Sequence, residues 1–485
     1  MSTVKTLFSQ SFVYGLSTII PRLLNYLLVF LYTRTFNPNE YGIVSELYAY
    51  LAFLLILLTF GLETGFFRFI NKNNDKNVVY STSFYFLLFT SAATLIFFVL
   101  AAKPIVHLLG SNYFRSYIII LGAVISVDAF SAICFAKLRS DNRPITFSSI
   151  KLIGVFINIL FNFLFIYKYD YIKTLPIPGS LDLISYVFLA NLIGSSVTLV
   201  LVLIKAGIPK LVFDLKIIKE LLIYSLPILI AGLGGTTNES FDRIFIKYLI
   251  PEEDNPLYKV GIYSSNAKLA IFLLLFIQMY RFAAEPFFFS QKKGEESNIL
   301  FGKAIKTFII VSLLLFLLIT TNIPILKFFV GASFREDLLI VPILLLSNIL
   351  YGIFFNFSFW YKLSDKTIYG IKYTFIGATI TILSNIILIP LIGIYGAAVA
   401  RLFCYSFMTY LSYKDGMSRN LIFIEKKNLL KYIIVCFFIF STVIVIYLQN
   451  EYLSLFLGNT LTLIFLLFIL KTENLTISKI LKSES

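Results

Sequence analysis

The sequence predicts an all-α integral membrane protein of fourteen transmembrane helices, and three observations carry that expectation. Apolar stretches long enough to cross a bilayer follow one another through the 485 residues. The polar segments between them reach roughly twenty residues at most, far short of a folded domain of 50 or more. Composition agrees: 58% of residues are hydrophobic and 14% charged, with a mean hydropathy of +0.87, whereas soluble domains carry about 25% charged residues. Third, the basic residues fall on alternate loops, as they do in multi-pass membrane proteins.

A hydrocarbon core of about 30 Å needs roughly 20 apolar residues per helix. In order, such stretches lie at 11–33, 41–62, 80–102, 116–138, 147–167, 183–205 and 219–241. Seven more follow at 259–285, 305–328, 338–360, 368–391, 393–413, 430–448 and 452–470. Barrel strands would be about ten residues long with strict alternation, and no stretch alternates. The first stretch lacks an A-x-A-like cleavage site and is read as retained. The seventh contains Gly232, Gly234 and Gly235, and the ninth contains Thr320-Thr321-Asn322-Ile323-Pro324. Both are expected to bend, since Gly and Pro interrupt backbone pairing. The eleventh and twelfth are separated only by Gly393 and its neighbours.

The net charge of +15 could indicate a nucleic-acid partner, but its distribution excludes one. With a cytoplasmic N-terminus, most of the 41 Lys and Arg fall on the inner loops. Examples are Lys137, Arg139, Arg143 and Lys151; Lys205, Lys210, Lys216 and Lys219; and Lys414, Arg419, Lys426, Lys427 and Lys431. Outer segments hold few, such as Arg34, Lys103 and Arg115. The excess is topological, with anionic headgroups as its partner, and both termini are expected in the cytoplasm. Cys134, Cys404 and Cys436 sit in apolar runs as small buried hydrophobes, and no disulfide framework is implied.

An internal repeat at about 220 residues divides the spans six, six and two. Tyr41-Gly42-Ile43 corresponds to Val260-Gly261-Ile262, and Glu63 to Glu285. Lys137-Leu138 corresponds to Lys362-Leu363, and Asn162 to Asn385. A shift of six spans preserves orientation, so the halves are parallel repeats. The expected divisions are 1–210 and 211–415 as six-helix lobes, then 416–485 with helices 13 and 14 and a cytoplasmic tail.

Charges at membrane depth cost roughly 2.5–3.5 kcal/mol each at the centre and need a reason to be there. Arg22, Lys268, Arg401 and Asp128 lie near mid-depth by position; Glu46, Glu239 and Asp242 lie in the outer half; Arg281 and Glu285 lie near the inner end. Pairing inside the bundle is one reading, with Arg281 to Glu285 and Glu239 to Arg243 at helical spacing. The other is a water-filled cavity, which three bases against one acid would make favourable to an anion. Asn25 lies on the same helix face as Arg22, three residues on. Asn158 and Asn162 form a similar pair read as glue between helices. Asp128, Glu46 and Glu239 are the candidates for ion coupling.

The segment Arg34-Thr35-Phe36-Asn37-Pro38-Asn39-Glu40-Tyr41-Gly42 resembles the R-x-L-G-P-x-x-Y-G run of bacterial polysaccharide-biosynthesis flippases, with Phe36-Asn37 replacing the usual Leu-Gly. Ser240 to Ile246, containing Asp242-Arg243, is similar to their D-R-aliphatic segment. Asn385 to Pro390 with Gly393-Ile394-Tyr395-Gly396-Ala397-Ala398 is similar to their N-x-x-L-I-P…G-x-x-G-A-A run. The resemblance covers residues 1 to about 415 and points to the multidrug/oligosaccharidyl-lipid/polysaccharide (MOP) exporter superfamily. It implies two six-helix lobes around a central cavity, alternating access, and transfer of an undecaprenyl-pyrophosphate-linked oligosaccharide to the periplasmic leaflet for O-antigen-type or other surface polysaccharide. It further implies a bacterial cytoplasmic membrane location and other polysaccharide-assembly membrane proteins as partners.

Two transport alternatives stand beside this one, a lipid II flippase and a cation-coupled multidrug antiporter. A membrane enzyme is disfavoured because no sizeable extramembrane loop is present. The sole histidine, His107, falls at a span end rather than inside one. No G-x-x-x-x-G-K-[ST] segment exists for nucleotide binding. No cofactor or metal is expected.

Overall fold

The computed structural model describes residues 19–21, 23–72, 75–173, 181–290, 295–364, 366–419 and 426–473. Among these residues there is no strand. Helix α1 covers 19–21 and 23–35. The helices of the first half are α2 (Pro38–Thr59), α3 (Leu62–Lys72), α4 (Lys76–Leu109), α5 (Arg115–Ser140), α6 (Pro144–Tyr167), α7 (Tyr169–Lys173), α8 (Leu183–Ala206), α9 (Leu215–Ser240) and α10 (Asp242–Leu249). Then come α11 (Pro256–Leu269), α12 (Ile271–Ser290), α13 (Glu295–Thr321), α14 (Ile323–Leu326), α15 (Ile340–Phe357), α16 (Phe359–Leu363), α17 (Ile368–Ile392), α18 (Ile394–Met417), α19 (Lys426–Gln449) and α20 (Glu451–Thr472). Two compact units result, Met1–Ser264 and Ser265–Ser485.

Among the described residues, 11 helices are long and apolar enough to cross a membrane, or 12 with the bent pair α11–α12 taken as one span. The sequence reading predicts fourteen. The opening of the expected first span, residues 11–18, and Arg22 lie outside the described residues, and the rest of it is α1. The expected twelfth is α18, a 24-residue helix whose apolar face is interrupted by Arg401 and several Tyr and Ser residues. Gly393, at φ +59, separates it from α17.

Local chemistry sets several helix ends. Asn37 caps α2 and accepts from Glu40 N–H, while the Glu40 carboxylate accepts from Asn37 N–H at 2.9 Å. Pro38 occupies the first turn, where no helical N–H is needed. The resembled motif is thus, first of all, a helix start. Span two is interrupted at Phe60 (φ 51) and Gly61 (φ +64). A Cβ on Gly61 would lie 3.1 Å from the Ser225 carbonyl of α9, so the break is fitted to its neighbour. No break falls at Gly232–Gly235: α9 runs continuously to Ser240, and the interruption falls at Phe241. Helix α13 does end at Thr321, before Pro324. The sharpest bend, 49°, falls between α11 and α12, at a point with no Gly or Pro. There Asn348 of α15 donates to the Ala270 carbonyl at 3.2 Å, satisfying an acceptor that lipid could not.

In unit 1, α5 is the central helix, with 61% of its spanning window buried, whereas α4 and α6 bury 17%. The core joins Phe66, Phe84, Ile133, Cys134, Val202 and Leu221 from α3, α4, α5, α8 and α9. Small residues set the closest approaches. Gly154 of α6 and Gly194 of α8 face one another, and a Cβ on Gly194 would come 2.8 Å from the Gly154 carbonyl.

The repeat-related glycines Gly42 and Gly261 also meet. A Cβ on Gly42 would strike the Leu257 carbonyl, and one on Gly261 would strike the Pro38 carbonyl. Each glycine therefore faces the carbonyl four residues before the other, a two-fold crossing of the first turns of α2 and α11.

In unit 2, α15 is central, with 72% of its window buried. The α19–α20 hairpin is fastened to α13 and to the segment that follows it. Glu451 pairs with Lys327 near one end. Asn322 and Asn459 exchange amide hydrogen bonds at 3.0 and 3.2 Å. At the other end Glu473 accepts from Lys306 at 2.8 Å and Tyr432 at 2.5 Å.

These contacts can be tested by substitution. Gly261→Ala drives a methyl into fixed backbone and is expected to cost about 1–3 kcal/mol. Gly235→Ala, with nothing within 4 Å, should be neutral or stabilising; thermal unfolding of both in detergent distinguishes them. Glu473 is drawn upward by burial, but bonds from Lys306 and Tyr432 and the Lys306 charge outweigh this and hold it below its ordinary 4.5. A depressed carboxylate stabilises the fold above its unfolded pKa, and that stability is lost as pH falls through the folded value. The stability deficit of Glu473→Gln should therefore be present at neutral pH and vanish in acid, as read by melting curves across pH.

Candidate functional site

Several of the charges at membrane depth are tied to partners inside the bundle. Glu46 of α2 is completely buried. Lys247 of α10 meets it at 3.0 Å, and the Tyr113 hydroxyl donates to it. Lys247 also donates to the Leu109 carbonyl at 3.1 Å and lies over the Tyr113 ring at 4.3 Å. Tyr50 and Tyr248 close the cluster, their hydroxyls 3.3 Å apart. Sequence reasoning misses Lys247, which it places on an outer loop; no spacing links positions 46 and 247.

Asp242 is buried as well. Its carboxylate accepts from Tyr263 at 2.5 Å and from the backbone and guanidinium of Arg243 at 2.9 and 3.2 Å. The motif pair Asp242-Arg243 is therefore a local ion pair that ties α10 to α11. Helical spacing would pair Arg243 with Glu239, which is instead exposed. Asp128 of α5 is half-buried, with Ser195 and Lys151 acting on its carboxylate. Tyr41 is buried and Gly42 lies at the α2–α11 crossing, whereas Arg34 is exposed, donating to the Phe30 carbonyl at 3.1 Å and lying 3.5 Å over the Phe30 ring. Asn25 is exposed on α1, and Arg22 lies outside the described residues. Asn162 takes a 2.7 Å bond from Tyr32 and donates to Asn158, as expected of glue between helices.

In unit 2, Lys268 and Arg401 are half-buried. Arg281 and Glu285 do not pair with each other, contrary to the expectation from their spacing. Arg281 donates to the Tyr351 hydroxyl at 3.0 Å and lies 4.5 Å over the Phe355 ring. Glu285 pairs with Lys362 at 3.3 Å, and Lys362 covers the same Phe355 ring at 4.8 Å. Two cations thus flank one aromatic ring beside one carboxylate. The signal available in the sequence is the repeat itself, which aligns Lys362 with Lys137 and Glu285 with Glu63.

A helical bundle that crosses the membrane many times, with polar groups tied to one another inside it, defines the class: a multi-pass integral membrane protein. Its fold is shared with a lipid II flippase MurJ in an inward closed conformation, at TM-score 0.71 and 18% identity over 95% of this chain and 99% of that one. It is shared too with an inward-facing multidrug resistance MATE family transporter of the MOP superfamily, at TM-score 0.64 and 14% identity over 85% and 94%. A variant of the Vibrio cholerae MATE transporter VcmN matches at TM-score 0.58 and 14% identity over 87% and 99%. No curated protein matches in sequence. The model of the polysaccharide biosynthesis protein family matches residues 7–292, and the chain belongs to that family.

Removing one member of a buried pair leaves the other uncompensated, at a cost of about 3–5 kcal/mol. Glu46→Gln should destabilise by that order, and Glu46→Gln with Lys247→Met should recover much of it. A double-mutant cycle on thermal stability checks this. Unchanged stability with lost transport would assign Glu46 to ion coupling instead.

Proposed function

We propose that the chain flips an undecaprenyl-pyrophosphate-linked oligosaccharide from the cytoplasmic to the periplasmic leaflet of a bacterial inner membrane by alternating access, supplying cell-surface polysaccharide synthesis. The observation that carries this reading is the positive character of the unit 2 helices, which bear Lys268, Arg281, Lys362 and Arg401, with Glu285 as the carboxylate beside Lys362. A pyrophosphate linker is anionic, and a guanidinium can hold it through two parallel hydrogen bonds. Family membership supports a saccharide cargo. An inside-negative potential favours outward movement of negative charge by roughly 2.3 kcal/mol per charge per 100 mV.

In this reading Arg22, Asn25, Lys268 and Arg401 contact the cargo, and Asp128 or Glu239 carries any coupling proton or cation. The work done is transport rather than bond-making chemistry. A lipid II flippase is the second reading, favoured by the likeness to MurJ, since lipid II also presents a polyprenyl pyrophosphate. A cation-drug antiporter would need acidic groups to dominate these helices.

The test is reconstitution in liposomes with a fluorescent lipid-linked oligosaccharide, lipid II and a cationic dye offered separately. Transfer of the lipid-linked oligosaccharide supports the proposal; transfer of the dye alone overturns it, and transfer of lipid II alone moves the assignment to the second reading. Loss of one charge-assisted hydrogen bond, about 1.5–3 kcal/mol, predicts roughly ten- to hundredfold slower flipping by Arg401→Ala or Arg22→Ala.

A further inference from the structure

The connector between α8 and α9, residues 207–214, is held against the first turns of α4 by side-chain hydroxyls. Tyr80 donates to the Gly207 carbonyl and Tyr85 to the Pro209 carbonyl, each at 2.9 Å. Ser81 Oγ stands 2.7 Å from the Lys210 carbonyl and 2.6 Å from that of Val212, and accepts from Val212 N–H at 3.0 Å. Its single hydrogen serves one carbonyl at a time. Thr82 Oγ1 accepts from Asp214 N–H at 3.1 Å.

With its backbone so occupied, the segment turns its side chains outward. Ile208, Leu211 and Leu215 are 71%, 78% and 76% exposed. Lys205, Lys210, Lys216 and Lys219 are all exposed among them. The one acid within the connector, Asp214, is engaged at the start of α9, accepting from Lys216 N–H at 2.8 Å and from Ile217 N–H.

We infer that this connector is an interfacial anchor that inserts its apolar side chains into the headgroup layer of the adjoining leaflet and selects anionic lipid. Its two ends continue directly into the spanning helices α8 and α9, so it lies at the bilayer surface. An apolar set interleaved with lysines is the pattern of segments lying in that layer, where the aliphatic stems sink and the ammonium groups meet phosphate. Charge complementarity selects an anionic surface over a zwitterionic one. A loop awaiting a soluble acidic partner would not need its backbone sealed against α4 on one side with isolated apolar side chains standing out on the other. The clamp gives the contact a consequence, because lipid bound here bears directly on α4.

The test uses the full chain carrying Leu211→Cys, and separately Ile208→Cys, labelled with an environment-sensitive fluorophore; Cys134, Cys404 and Cys436 are buried. The protein is placed in phosphatidylcholine vesicles with and without phosphatidylglycerol, doped with brominated-chain lipid. The expected result is quenching by brominated chains that at least doubles when phosphatidylglycerol is added. Lys205→Gln/Lys210→Gln/Lys216→Gln/Lys219→Gln should abolish that increase. Quenching by aqueous iodide with none from brominated chains overturns the proposal and leaves the patch to a protein partner. Bromide quenching indifferent both to phosphatidylglycerol and to the four substitutions overturns the selection of anionic lipid.

Discussion

The constraint on which the rest of this structure depends is the absence of water along its spans. A backbone or side-chain group left unsatisfied there costs several kcal/mol, so each interruption of a helix must be met by a neighbour. Asn348 meets the break at Ala270. Tyr263 and Arg243 meet Asp242 where α9 gives way to α10. Lys247 and Tyr113 meet Glu46. Polar residues in this chain are therefore markers of where the backbone departs from regular helix or where two helices must keep a fixed register.

Because lipid offers no hydrophobic reward for bringing two helices together, close packing supplies the attraction instead. That explains where glycine is used. Gly154 with Gly194, and Gly42 with Gly261, let backbones touch. The second pair also gives the sequence repeat a physical meaning. Gly42 and Gly261, which correspond at an offset of 219, meet across a local two-fold axis, each glycine receiving the other helix's carbonyl. Enlarging either glycine would displace both helices of the crossing.

Much of the helix layout was legible because each span is a local property of about 20 residues, and the Gly393 divide between α17 and α18 could be placed from one residue. Motif residues were legible in position but not in role. Asn37, Pro38 and Glu40 build a helix cap, and Tyr41 and Gly42 pack a crossing. The pairings were less accessible. Arg281 and Glu285 sit one turn apart, yet each reaches a different element, Tyr351 of α15 and Lys362 of α16. Helical spacing shows which partners are within reach, whereas tertiary packing decides which are taken. The 49° bend at Ala270 was hidden for a related reason, being stabilised by an amide 78 residues away rather than by Gly or Pro.

The distribution of membrane-depth charge completes the argument about cargo. In unit 1, Glu46 meets Lys247, Asp242 meets Arg243, and Lys151 acts on Asp128. The first two are ion pairs, and Glu46 with Lys247 joins α2 to α10. In unit 2 the balance around Phe355 is different. Glu285 brings one negative charge to a cluster that holds both Lys362 and Arg281. The Phe355 face between those cations attracts each of them without cancelling either charge. Charge is thus paired off at two places in unit 1 and left unequal around Phe355 in unit 2, and it is on the second arrangement that the proposed anionic cargo rests.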